Sequence, residues 1–144
     1  MIMRYNMFFR LLFIGLFGIF FFVSCAPDED PETTAYDVRQ KIIGYWKVDE
    51  ISSEYGQSKY TVKITAGNDS NSVLIDNFYN VGDGKTVTAI VHHNYLMDIP
   101  EQSANRFIFK GSATIGAASN QITFSYTADD QGGIVDTVSS TYYQ

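Results

Sequence analysis

The chain is poor in the residues that most often build catalytic and metal centres. Its 144 residues include one cysteine, Cys25, and two histidines, His92 and His93. A single cysteine excludes any disulfide within one molecule, even in a compartment that permits them. The two histidines are adjacent, and neighbours on a strand point to opposite faces, so they do not readily chelate one metal together. One histidine without a cysteine or second histidine nearby makes a poor zinc site. No Gly-x-Ser-x-Gly nucleophile elbow occurs, and no EF-hand spacing is present. Gly84-Lys85-Thr86 mimics the end of a phosphate-binding loop. That motif needs a glycine where Tyr79 stands and should lead into a helix, yet Thr-Val-Thr-Ala-Ile-Val follows, which is strand-like. The triplet reads as a hairpin turn. The expectation is a protein with no catalytic residues, no metal and no cofactor.

Positive charge is also scarce. Ten Lys and Arg face sixteen Asp and Glu, a formal net charge of −6. All sixteen acids but only eight cations follow residue 24, which gives that part of the chain a net charge of −8. Such a balance argues against nucleic acid or an anionic membrane surface as a partner.

Charge is missing altogether from residues 11–23, an apolar run of Leu, Phe, Ile, Gly and Val. Arg4 and Arg10 precede it, with no acid among them, and Ser24-Cys25-Ala26 follow. A cationic start, a short apolar stretch and small residues at the cut describe a secretory signal. A helix over the apolar run reaches roughly 20 Å, short of the roughly 30 Å hydrocarbon core. Phe22-Val23-Ser24-Cys25 resembles the lipobox of bacterial lipoproteins, with Phe22 where leucine is usual. The resemblance implies cleavage before Cys25 and a thioether from its thiol to a diacylglyceryl group. At about 0.8 kcal/mol per buried methylene, two or three acyl chains make a durable membrane anchor.

Residues 25–34 then carry Asp28, Glu29, Asp30 and Glu32 beside Pro27 and Pro31, with no large apolar side chain. They read as a flexible acidic tether. The acidic run also resembles the surface-export signal of lipoproteins in some anaerobic Gram-negative bacteria, although a solvated spacer has the same composition. Address follows accordingly: an outer-membrane lipid anchor facing the cell surface, or else the periplasm. The expected organisation is a signal peptide over 1–24, the tether over 25–34 and one domain over 35–144.

Thr34 is placed to cap a helix over 36–43, with Asp37 three residues on and Gly44 at its end. Val38, Ile42 and Ile43 form its apolar stripe. After Gly44 the hydrophobic period changes to two. Ile122-Thr-Phe-Ser-Tyr126 and Tyr60-Thr-Val-Lys-Ile64 alternate cleanly. The pattern predicts eight strands at about 45–52, 59–65, 72–79, 85–92, 95–99, 106–115, 121–127 and 134–143, separated by Gly, Asn, Asp and Ser turns. Eight short antiparallel strands suit a closed up-and-down barrel, which leaves no exposed edge. A two-sheet β-sandwich satisfies the same alternation.

The order Ile42-Ile43-Gly44-Tyr45-Trp46, Ile75-Asp-Asn-Phe78, Ile99-Pro100-Glu101-Gln102, Lys110-Gly-Ser-Ala-Thr-Ile115, Ile122-Thr-Phe-Ser-Tyr126 and a closing 136–143 resembles the small lipocalin-like (calycin-like) lipoproteins of anaerobic Gram-negative bacteria. The resemblance implies a lipocalin-like barrel on a lipid anchor, and little about activity.

Aromatic residues are the least ordinary content of the domain. Trp46, Tyr60, Phe78, Phe107, Phe109, Phe124, Tyr126 and Tyr142 fall in predicted strands. If the barrel has an unfilled mouth, Trp46, Tyr60, Phe107, Phe109, Phe124 and Tyr126 line an apolar pocket with polar tips. A small barrel can equally be filled by these side chains. Asp98 with Glu101, and Asp129 with Asp130 and Asp136, are the acid pairs a mouth can bring together, although turn acids more often bond their own backbone. The expected role is a binding module for a small apolar ligand or an envelope or host protein. The alternative is an accessory envelope protein with a filled core.

Overall fold

The computed structural model describes residues 35–144. The signal segment, Cys25, the acidic tether and the Thr34 cap lie outside the described residues. One helix, α1 (Ala35–Ile42), precedes eight strands: β1 (Gly44–Ser52), β2 (Gly56–Ala66), β3 (Ser72–Asp76), β4 (Thr86–Val91), β5 (Leu96–Ala104), β6 (Phe107–Ile115), β7 (Gln121–Asp129) and β8 (Val135–Tyr143). Every strand pairs antiparallel with the next, and β8 returns to β1, which closes the barrel. Closure decides against the sandwich and satisfies every strand edge. The helix, all eight strands and their core lie within the compact unit Thr33–Gln144, so this segment is a self-contained domain.

The two-residue period does the sorting. On β7, Ile122, Phe124, Tyr126 and Ala128 point inward and are buried, while their neighbours face out. On β1 the inward set is Trp46, Val48, Glu50 and Ser52; on β8 it is Asp136, Val138, Ser140 and Tyr142. Both sets open on apolar or aromatic residues near α1 and turn polar toward the far end.

Three boundaries differ from the sequence reading. β2 starts at Gly56, where a positive φ of 76° begins the hairpin return. β3 stops at Asp76, because Asn77, Tyr79 and Asn80 adopt left-handed φ values of 62°, 57° and 53° around a short 3-10 turn. Phe78 therefore lies on a turn and not on a strand. β5 runs on through Pro100 to Ala104. A bulge between Ile99 and Gln102 absorbs the proline, which has no N–H for a ladder. Beside it the Gln102 side chain stands in for backbone pairing with β4: its Oε1 accepts from Thr88 N at 2.7 Å and its Nε2 donates to Thr88 O at 2.7 Å.

The barrel has two unlike ends. At the helix end, Val38 and Ile42, four apart on one face of α1, are fully buried, whereas Ile43 is half-buried. The Trp46 indole N–H donates to the Ile42 carbonyl at 2.9 Å, and the Arg39 guanidinium donates to Asp69 O at 2.5 Å and to Ser72 O at 3.4 Å. The other end carries the β1–β2, β5–β6 and β7–β8 hairpins and the long β3–β4 connection.

Candidate functional site

At that second end the interior turns polar. Glu50 points inward from β1 and is 3% exposed. Its register neighbours are Ser58 on β2 and Ser140 on β8. One carboxylate oxygen, Oε2, accepts from both the Tyr60 and the Tyr126 hydroxyls at 2.5 Å. The other, Oε1, has only the Ser58 hydroxyl at 3.4 Å. Burial raises the Glu50 pKa; the hydrogen bonds from Tyr126, Tyr60 and Ser58 oppose that, and the nearby negative charge of Asp136 adds to it.

Asp136, on β8 one inward position beyond Val138, is 1% exposed. Its Oδ2 accepts from the Ser52 hydroxyl at 2.5 Å and the Tyr79 hydroxyl at 2.7 Å. Its Oδ1 accepts from the Ser53 hydroxyl at 2.9 Å and Glu54 N at 3.2 Å. Burial works to raise this pKa, but the donors outweigh it and hold the carboxyl below its usual range. The two interior carboxyls are thus driven in opposite directions by how fully each is hydrogen-bonded. Burial, with the nearby carboxylates, pushes the Tyr60, Tyr79, Tyr126 and Tyr142 phenols upward, so all four stay neutral and the first three donate to the carboxyls.

An aromatic floor lies against this layer. Phe78 hangs inward from the 3-10 turn and meets Phe109 edge-on at 5.3 Å, Phe124 at 5.9 Å and Tyr126 at 4.5 Å between ring centroids. Tyr79 packs on Phe107 at 5.2 Å. Phe124 lies on Tyr142 at 4.4 Å. Gly111 on β6 faces Tyr126 in register, and a Cβ there would stand 2.4 Å from the Tyr126 Cβ. Its missing side chain is what lets Tyr126 sit close enough to reach Glu50.

Two buried hydroxyls in this layer have no hydrogen-bond partner among the described residues: Ser140, 1% exposed, and Tyr142, fully buried. Tyr142 lies beside the Tyr60 hydroxyl but outside good hydrogen-bonding geometry. Unpaired buried polar groups are uncommon and call for a physical reason.

The structure divides the sequence-predicted pocket residues. Tyr60, Phe107, Phe109, Phe124 and Tyr126 gather at the polar end, whereas Trp46 sits at the helix end against Ile42. The proposed acid pairs do not form. Asp98 meets His92 at 2.9 Å on the surface, and Glu101 meets Lys110 at 3.7 Å. Asp129 and Asp130 each bond backbone N–H groups of their own turn, and the Ile134 and Gly132 N–H groups lower the Asp130 pKa. Asp136 leaves that turn for the barrel interior. Among the described residues no group of three or more His, Cys, Asp or Glu is placed to hold a metal ion.

Glu50, Tyr79 and Ser140 were not singled out as site residues by sequence reasoning, and Tyr142 was named only among the strand aromatics. A signal for two of them was present: Glu50 shares the inward phase of Trp46 and Val48, and Ser140 lies between Val138 and Tyr142 on the same phase.

No family model and no curated protein sequence matches the chain. Solved structures do. A redesigned β-barrel aligns over 74% of this chain and 94% of its own, at TM-score 0.53 and 13% identity. EF1p2_mFAP2b bound to DFHBI aligns over 77% and 99%, at TM-score 0.54 and 13% identity. The redesigned β-barrel mFAP1, also bound to DFHBI, aligns over 74% and 98%, at TM-score 0.52 and 16% identity. At such identity the likeness concerns the fold: this chain folds as a closed β-barrel of that kind.

Proposed function

We propose that this protein is a lipid-anchored binding module that holds a small ligand inside the barrel, admitted through the end opposite α1. The observation that carries the reading is the polar end itself, where buried Glu50 and its tyrosines stand over the aromatic floor of Phe78, Phe109 and Phe124. An apolar wall with a few convergent polar groups is the usual build of a small-molecule site. Barrels of like fold were solved bound to DFHBI, which supports the use of this architecture for ligands. The role is binding and not catalysis: Glu50 is held by phenols and a serine, and His92 and His93 lie beyond β4 at the helix end. The lipobox-like run before Cys25 supports an outer-membrane anchor of the lipocalin-like lipoprotein kind, with the acidic tether directing the barrel to the cell surface.

Titration of the soluble domain, residues 33–144, with an apolar fluorescent probe tests the binding role. Saturable enhancement that Phe109→Ala changes supports it. The second reading, an accessory envelope protein with a filled core, is favoured by the complete burial of Phe78, Phe109 and Phe124; a flat titration, with envelope proteins captured by the same domain, would favour it. For the anchor, Cys25→Ser should abolish labelling of the full chain by a radioactive fatty acid. For the address, intact-cell proteolysis should cleave the wild type and spare a variant with Asp28, Glu29 and Asp30 neutralised.

A further inference from the structure

The polar layer holds two buried carboxyls, and two buried hydroxyls without partners. Glu50 and Asp136 are both buried, and neither forms an ion pair among the described residues. The ion pairs that do form, Lys59–Asp49, His92–Asp98 and Lys110–Glu101, lie on the outside of the barrel. Asp136 has its donors: two serines, a tyrosine and a backbone N–H. Glu50 does not, since its Oε1 has a single long contact. Opposite it in register stands Ser140, with Tyr142 one inward position further along β8, both buried hydroxyls without partners. Glu50 Oε1 is an acceptor with capacity to spare, and the Ser140 and Tyr142 hydroxyls, which can donate or accept, each keep free lone pairs beside it. A primary ammonium has three donors and no acceptor. The rings beside them, Phe78, Phe109, Phe124 and Tyr126, also favour a cation or a planar ring.

We propose that the barrel binds a small aromatic amine, its ammonium on Glu50, Ser140 and Tyr142 and its ring in the place Phe78 now fills. This rests on the reading of the barrel as a small-ligand binder and names the class of ligand. Phe78 is the side chain suited to give way. It is carried by a turn in which Asn77, Tyr79 and Asn80 hold left-handed backbone; asparagine tolerates that conformation, whereas it is disfavoured for the bulky Tyr79. The turn that carries Phe78 thus holds one strained residue, Tyr79, directly beside it. An anionic ligand head is opposed by the Asp136 carboxylate and, once it has lost its proton, by Glu50. Binding is also tied to pH. Glu50 is faced by Asp136 and Tyr142 from β8, Tyr60 from β2, Tyr126 from β7 and Tyr79 from the turn, all anionic or neutral. An ammonium therefore binds better as Glu50 loses its proton.

The test is calorimetric titration of the 33–144 domain with tryptamine, N-acetyltryptamine and indoleacetate, beside the apolar fluorescent probe. Tryptamine should bind at least about tenfold more tightly than its acetylated form, consistent with a hydrogen bond to a charged group, and indoleacetate should not bind. Glu50→Gln should remove most of that preference, and tryptamine affinity should rise with pH in the wild type but not in this variant. Ser140→Ala keeps the test valid if Glu50→Gln fails to fold: it should weaken tryptamine while leaving the unliganded melting temperature unchanged. Phe78→Ala should bind tryptamine more tightly than the wild type, because no side chain has to be displaced. Equal binding of tryptamine and N-acetyltryptamine in the wild type overturns the amine assignment and leaves the small-ligand reading standing. Tryptamine binding that neither Glu50→Gln nor Ser140→Ala alters places the amine elsewhere and overturns it too. Failure of all three compounds and of the probe overturns both readings.

Discussion

The two ends of this barrel are made of the same strands and carry opposite chemistry. At the helix end the interior is mainly apolar, with the Arg39 guanidinium bonded to the Asp69 and Ser72 carbonyls at its edge. Val38, Ile42 and Trp46 are fully buried, and the one polar atom of Trp46 is spent on the Ile42 carbonyl at 2.9 Å. At the other end two carboxyls, four tyrosines and several serines share the interior with an aromatic floor. Apolar packing gains stability from burial without further conditions. A buried polar layer stabilises only so far as its groups are satisfied. Asp136 is satisfied and Glu50 is satisfied on one side only. The contrast separates an end closed by apolar packing from an end whose buried polar groups are only partly hydrogen-bonded.

The largest expected effects come from deleting the aromatic residue at each end. Trp46→Ala and Phe78→Ala should each lower stability by about 3–5 kcal/mol. They should differ in what restores it. Added tryptamine should raise the thermal midpoint of Phe78→Ala by more than that of the wild type, and should do nothing particular for Trp46→Ala. Equal responses in thermal melts would erase the distinction between the ends.

Next in size are the two acids, which should show opposite pH slopes. The Asp136 pKa is lowered in the folded state, so its contribution is present above its ordinary 3.8 and is lost as pH falls through the lowered value. Asp136→Asn should therefore cost about 1.5–3 kcal/mol at neutral pH, and the gap to wild type should close in acid. The Glu50 pKa is raised, so the neutral form suits the folded state: its contribution is fully present below the ordinary 4.5 and is lost as pH rises through the raised value. Wild type should accordingly lose stability relative to Glu50→Gln as pH rises through that window. Chemical denaturation at a series of pH values measures both slopes, and parallel curves for the two variants would mean the acids share one environment.

Gly111→Ala is a smaller and more local probe. The new Cβ meets the Tyr126 backbone and Cβ, contacts that cannot swing aside, so it should cost about 1–3 kcal/mol. It should also shift the Glu50 titration in NMR, because Tyr126 is one of the two phenols on Oε2. The smallest effect belongs to the surface of the helix end: Asp98→Asn removes an exposed pair with His92 and should change stability by less than about 1 kcal/mol.

Much of the fold was legible because alternation reports burial directly. The segments around β7 and β8 were read within a few residues, since each second residue from Ile122 to Tyr126 and from Val138 to Tyr142 is buried. What misled the reading was local. Pro100 reads as a strand end, but the bulge and the Gln102 side chain carry β5 past it. The run of residues after Ile75 looks like continuing strand, yet three left-handed residues turn Phe78 into the barrel. The candidate site was only half legible. Its tyrosines and phenylalanines stood out by composition. Glu50 did not, because charge in a strand is read first as an outer face, and Asp136 was named only as a partner of Asp129 and Asp130, which bond their own turn while it faces the interior.

By itself the sequence determined the strand count, the inward phase of each strand and the all-β class, since a period of two leaves each strand one face to bury; barrel and sandwich share that period, and the pairing of β8 with β1 chose the barrel. That same phase already set Glu50 and Ser140 among inward-facing residues. The tertiary structure alone decided that they meet. They come together because β8 pairs with β1, a contact between the first and last strands of the domain that no local pattern encodes. The same closure sets Asp136 against Ser52 and Ser53, and Tyr79 reaches it from the β3–β4 turn. Local preference shaped each strand; the pairing of distant strands made the polar layer, because only in the closed barrel do their inner faces share one interior.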